Sequence, residues 1–147
     1  MIDHGATTIW ELWNGNTADP AMNSGNHVML LGDLLMWYYE DLAGIRQQST
    51  CRAYKTLDMQ LSMPKELNHV RASHATPYGT VRSEWERTKD GLTWKIEIPA
   101  NTNARVHIPQ GYTVQGLRSL RWASAEVEGD DVCLIIGSGS NTINATK

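Results

Sequence analysis

Glu11 lies between Trp10 and Trp13 in the run Thr7-Thr8-Ile9-Trp10-Glu11-Leu12-Trp13, a stretch too apolar for an ordinary solvated surface. A carboxylate with partly apolar walls has its proton affinity raised, which suits general acid or general base work. The flat faces of Trp10 and Trp13 could stack on the apolar side of a sugar ring, and Asn14, Asn16, Asn23 and Asn26 supply amide donors and acceptors for hydroxyls. Aromatic, amide and carboxylate together point to carbohydrate chemistry. Residue types alone also allow a plainer reading, which composition favours: Glu11 solvated or salt-bridged, His27 a capping or core histidine, the asparagines turn formers.

The elements that must position these groups follow directly. Met1 to Trp13 reads as an extended or irregular lead-in, and Asn14 to Ser24 as a loop from its Gly, Asn, Asp and Pro content. Asn23 or Ser24 can cap a helix running from about Gly25 to Ala43, closed by Gly44 in a left-handed conformation. On that helix Leu31, Leu34, Leu35, Tyr38 and Leu42 form one stripe, while Met29, Leu30, Met36 and Trp37 spread apolar surface round most of the remaining circumference. Such a helix needs cover on several sides, and a single β-domain covers one. The expectation is an exposed apolar patch, hidden by self-association or by docking of helix 25–43 onto further protein.

Six blocks of sequence carry a family resemblance. Gly5-Ala6-Thr7-Thr8-Ile9-Trp10-Glu11, Asp19-Pro20-Ala21-Met22-Asn23-Ser24 with Asn26-His27, and Leu42-Ala43-Gly44-Ile45 resemble the end of the catalytic domain of bacterial α-L-rhamnosidases. Ala75-Thr76-Pro77-Tyr78-Gly79, Ser83-Glu84-Trp85 and Ile98-Pro99-Ala100-Asn101-Thr102 resemble that family's C-terminal β-domain. The resemblance implies an inverting glycosidase acting on rhamnose-containing glycans or glycosides, with a catalytic domain that is a toroid of paired α-helices. It implies Glu11 as general base on the attacking water and His27 as a residue of the same pocket, with Trp10, Trp13 and Asn23 beside them as substrate-binding candidates. It implies no cofactor and no metal. An inverting enzyme needs a second carboxyl roughly 6.5–9.5 Å from the first, and the family's general acid lies upstream of these motifs. Asp3, Asp19 and Asp33 read instead as terminal, turn and helix residues. The chain therefore reads as the C-terminal part of such an enzyme, with 1–47 a remnant of the helical domain and 48–147 a β-sandwich. The competing reading is a non-catalytic carbohydrate-binding or scaffold β-sandwich that closes the end of a catalytic barrel.

Other classes are disfavoured by bulk properties. The formal charge is −3, and the 13 basic residues are scattered without a stripe, against nucleic-acid binding. No apolar run approaches the roughly 20 residues that cross a bilayer, and no export signal opens the chain, which leaves localisation undetermined. The histidines His4, His27, His69, His74 and His107 show no clustered metal-ligand spacing. Cys51 and Cys133 could pair if the fold joins them, or remain free and buried.

Beyond the polar connector 46–52 the period changes to two. Val81, Ser83 and Trp85 alternate with charged residues, as do Leu92, Trp94, Ile96 and Ile98, with Lys89-Asp90-Gly91 a hairpin signal whose glycine is free to take positive φ. Ala104, Val106 and Ile108 continue the alternation, giving three consecutive antiparallel strands. Ala53–Leu61 and Asn68–Thr76 read as strands about a turn at Pro64, and Val132–Ile136 as a central strand. Asn141 to Lys147 reads as a frayed tail. Trp85 and Trp94 fall on the inward face. The fold class is thus mainly β: an antiparallel sandwich preceded by one long α-helix and an irregular N-terminal segment left over from an α/α toroid.

Overall fold

A computed structural model of the chain describes residues 1–19, 21, 23–116, 124–128 and 131–147; Pro20 and Met22 of the loop motif lie outside the described residues. By contacts the chain divides into two units, Met1–Trp37 and Tyr38–Lys147.

The larger unit is mainly β. Its strands are β1 (Arg46–Gln47), β2 (Thr56–Gln60), β3 (His69–Thr76), β4 (Gly79–Thr88), β5 (Gly91–His107), β6 (Thr113–Gln115), β7 (Ser124–Glu128) and β8 (Asp131–Thr146). β5 and β8 are long and pair along most of their length. The N-terminal half of β5 pairs with β4, which pairs with β3, while its C-terminal half pairs with β2, which pairs with β1. β7 and β6 pair with opposite ends of β8. Two strands therefore run through both layers of the sandwich. The layers share one core, formed by Leu57 and Met59 of β2, Val81 and Trp85 of β4, Leu92 to Val106 at alternate positions of β5, and Leu134, Ile136, Ile143 and Ala145 of β8.

Several expectations are corrected here. The stretches 92–98 and 104–108 are not two antiparallel strands. They form one strand, β5, interrupted by a bulge in which five steps from Ile98 to Asn103 face only two from Gly139 to Gly137. Asn101 takes φ 60° there, and the Thr102 hydroxyl donates to the Pro99 carbonyl at 2.6 Å. This bend is what carries β5 from one layer to the other. The sheet is also not wholly antiparallel, because β2 runs parallel to β5. The tail is not frayed: β8 continues to Thr146, and Asn141, Ile143 and Ala145 are buried. Gly91 is required for close approach, not for positive φ. A Cβ there would lie 1.9 Å from the Ala145 carbonyl oxygen.

Trp85 and Trp94 are core residues as the alternation predicts, both at 0% exposure. Each indole N–H has a partner: Trp85 donates to the Leu42 carbonyl at 2.7 Å and Trp94 to the Ser83 hydroxyl at 2.9 Å. A buried indole without an acceptor would lose much of what its ring gains. Through Trp85, the π turn Tyr38–Leu42 is fastened to β4, and Leu42, Ala43 and Ile45 enter the core. Gly44, at φ 67°, reverses the chain as expected, and an added Cβ would meet the Gln60 carbonyl oxygen at 2.9 Å.

The smaller unit opens with a 3-10 turn, Ile2–His4, and proceeds through irregular turns to a helix, α1 (Leu30–Trp37). The helix starts later than Gly25. Ser24 Oγ accepts the Asn26 N–H, and the His27 N–H is taken by the Ile9 carbonyl, so the backbone at 24–27 serves the preceding loop instead of a helical turn. None of the α1 residues is buried, and Leu30, Leu31, Leu34, Leu35, Met36 and Trp37 are all exposed.

Candidate functional site

The segment 9–11 and the segment 24–27 are drawn together by the backbone. The Glu11 N–H donates to the Ser24 carbonyl at 3.0 Å, and the His27 N–H to the Ile9 carbonyl at 2.6 Å. Between these ties the loop is closed by its own polar residues. Thr17 and Ala18 N–H groups donate to the Asn14 carbonyl, and Asp19 Oδ1 accepts the Ala21 N–H at 2.9 Å. Asp19 is thus a turn former, in keeping with its sequence context.

This closure brings Glu11 and His27 side by side. Glu11 Oε2 accepts the Ser24 N–H at 2.7 Å, and His27 Nδ1 lies 3.7 Å from the same oxygen. That separation suits an ion pair but exceeds a hydrogen bond. Nδ1 is buried and has no hydrogen-bond partner among the described residues. Glu11 Oε1 takes no donor from the described residues, leaving its lone pairs for a water or a hydroxyl. A carboxylate fixed at one oxygen and open at the other, with an imidazole beside it, can orient a water and accept its proton. The site is wetter than the apolar run suggested: the Glu11 side chain is 39% exposed.

The two tryptophans differ. A Cβ on Gly15 would fall 2.6 Å from the Trp10 ring, so Gly15 lies directly against that indole and covers part of it. Trp13 is 79% exposed and open for stacking. Asn23 spends its side-chain amide on the Asp19 carbonyl, at 3.2 Å, and retains its Oδ1. The Thr8 hydroxyl donates to Asn26 Oδ1 at 2.7 Å, bracing the loop from the other side. The Ser24 N–H was not foreseen as a functional group, because a backbone donor has no side-chain signature.

In the β unit, Asp58 and His107 form a pair at 2.7 Å on neighbouring strands, which sequence spacing did not reveal. Cys51 and Cys133 are both free. Burial pushes the Cys133 thiol above its ordinary value, which holds it protonated and unreactive. Burial, with a smaller push from Glu40, likewise raises the Tyr54 hydroxyl. Among the described residues no group of three metal-ligating side chains occurs, and no helix is long and apolar enough to cross a membrane.

Comparison with known proteins gives consistent matches along the chain. The family model for the bacterial α-L-rhamnosidase C-terminal domain matches residues 44–127, and that for the bacterial α-L-rhamnosidase 6 hairpin glycosidase domain matches residues 1–42. An α-L-rhamnosidase of Streptomyces avermitilis is 31% identical over 147 residues, covering 95% of this chain and 14% of the relative. One from Formosa agariphila is 35% identical over 113 residues, covering 74% of this chain and 12% of the relative. Among solved structures, the Streptomyces avermitilis α-L-rhamnosidase complexed with L-rhamnose superposes with a TM-score of 0.75 at 28% identity, over 99% of this chain and 14% of that one. The α-L-rhamnosidase from Dictyoglumus thermophilum gives 0.78 at 27% identity, over 100% of this chain and 17% of that one. The chain thus spans about a seventh of the length of these relatives.

Proposed function

The chain belongs to the bacterial α-L-rhamnosidase family of glycoside hydrolases, and from that premise we propose that it is the C-terminal part of an inverting enzyme that removes terminal α-L-rhamnosyl residues. Glu11 is the general base. It takes a proton from water as the oxygen attacks the anomeric carbon, while an acid in the upstream part of the catalytic domain protonates the departing oxygen. His27 lines the same pocket and holds the carboxylate and the water in register. Trp13 is the stacking surface for the sugar, with Trp10 a further substrate-binding residue and Asn23 contributing an amide oxygen. Residues 1–47 contribute to the helical catalytic domain and 48–147 to the β-sandwich, whose core and first strand the chain already enters at Leu42, Ala43, Ile45 and β1.

The observation that carries this reading is the Glu11 carboxylate fixed by the Ser24 N–H at 2.7 Å, 3.7 Å from His27, inside the segment matched by the glycosidase-domain model. In a complete hydrolase carrying this segment, Glu11→Gln should lower kcat by about 10²–10⁴-fold with a much smaller change in KM. Unchanged kcat would remove Glu11 from the reaction.

The apolar side chains of α1 dock against the remaining helices of that catalytic domain. Their exposure in this chain is the reason. The isolated chain should therefore bind a hydrophobic dye, or associate so that light scattering reads above 16.4 kDa. A dye-negative monomer contradicts this docking role.

A further inference from the structure

A concave region lies at one end of the sandwich, where the β4–β5 hairpin meets the end of β8 and the chain leading into β6. Its volume is about 520 Å³, enough for one or two sugar rings. Gly91 is among its lining residues, and only a residue without Cβ permits β5 to approach the Ala145 carbonyl so closely there. The Lys147 N–H donates to the Asp90 carbonyl at 3.2 Å and ties two of its walls together.

Among the described residues the β unit holds both paired and unpaired cations, Arg52, Lys55 and Lys65 being without a carboxylate partner outside this cavity. Arg46, Arg71, Arg82, Lys95 and Arg105 are each in an ion pair. Among the described residues, the three cations that line this cavity, Arg87, Lys89 and Lys147, have no carboxylate partner, and the acids beside them are Asp90 and the α-carboxylate of Lys147 in the 147-residue chain. On a chain whose formal charge is −3, this is a local cationic concavity. Arg87 is pre-positioned: its Nη2 donates to the carbonyls of Met63 and Pro64, each at 3.1 Å, so the guanidinium is held before any ligand arrives. Tyr112 is packed against the core on one side and lines the cavity on the other. Thr146 contributes a hydroxyl that already accepts from Gln115 and can still donate.

We infer that this cavity binds an anionic saccharide, its carboxylate or sulfate ester held by Arg87, Lys89 and Lys147 and a ring face set against Tyr112. The cations select the anion, and fixed geometry keeps the ordering cost low. That the anion is carried on a saccharide rests on the hydrolase reading above. The site would hold an acidic part of the polymer away from the bond being cleaved.

The test is a titration of the isotope-labelled 147-residue chain, followed by amide shifts. Tri-galacturonate should move the amides of Arg87 to Gly91, Tyr112, Thr146 and Lys147 in a saturable way, about tenfold more tightly than neutral galactotriose. Lys89→Ala, at an exposed turn position, should weaken tri-galacturonate binding about tenfold and leave the remaining spectrum in place. Absence of shifts at these amides overturns the proposal, as does equal affinity for galactotriose. Sulfate alone reproducing the shifts at the same concentration also overturns it, by reducing the site to one for small anions. The Glu11→Gln chain should bind tri-galacturonate as tightly as the parent, so failure here and failure of the Glu11 assignment are separate results.

Discussion

The two units keep their shape by different means. In Tyr38–Lys147 the layers of a sandwich close on one apolar cluster, and even the polar atoms of its largest rings have partners. In Met1–Trp37 no described residue is buried, and order comes from hydrogen bonds that fold the loop 12–23 over and pin 9–11 to 24–27. The carboxylate and imidazole of the proposed catalytic pair lie in this second kind of structure. Buried surface makes the β unit durable but leaves its side chains committed to one another. The N-terminal unit keeps functional groups open, at the cost of little stability of its own.

This contrast is most directly challenged at Trp85. Trp85→Ala should destabilise the β unit by about 3–5 kcal/mol, because it opens a cavity and strands the Leu42 carbonyl. Denaturant unfolding, together with faster hydrogen exchange in β4 and β5, would register the loss. A change below about 1 kcal/mol would mean that the cluster is not what holds this unit. In the N-terminal unit a comparable disturbance comes from adding one methyl group. Gly15→Ala forces the Trp10 indole aside, with an expected cost of about 1–3 kcal/mol to the local structure. Limited proteolysis should then cut within 12–18 faster than in the parent, and an unchanged rate would show that Trp10 does not rest on Gly15 in solution.

The smallest effect concerns alkaline pH. The Cys133 thiol and the Tyr54 hydroxyl are both raised in the folded chain, chiefly by burial. Above their ordinary values, about 8.5 and 10, the unfolded chain releases these protons first, so folding stability falls as pH rises. The fall should begin near pH 9 in the β unit, and Cys133→Ala should remove its first part. A parent and variant with the same alkaline profile would rule out a contribution from the thiol.

Much of the β unit is legible because alternation reports which side of a pleated strand is covered. Leu92 to Ile98, Val81 to Trp85 and the Lys89-Asp90 turn are read correctly on that basis. The bulge at 99–102 is not, because Ala104 and Val106 resume the same alternation beyond it and conceal the interruption. The end of β8 is missed for a related reason. Its polar residues suggest fraying, yet Ile143 and Ala145 stand opposite Trp94 and Leu92, a distant pairing that local composition does not encode. The helix is overextended because the cap signal at Asn23 and Ser24 suggests an early start, while the backbone at 24–27 serves the preceding loop. Glu11 and His27 are 16 positions apart, and spacing gave no reason for their meeting; the motif resemblance pointed to both, and the Ile9 and Ser24 backbone bonds explain it.

The proposed role of Glu11 is to activate the attacking water. Its most direct test is Glu11→Ala in a complete hydrolase carrying this segment, assayed on p-nitrophenyl α-L-rhamnoside with and without sodium azide and followed by NMR of the products. The variant should be nearly inactive in water and regain turnover with azide, yielding rhamnosyl azide of inverted configuration. Activity close to the parent's in the absence of azide would contradict that role.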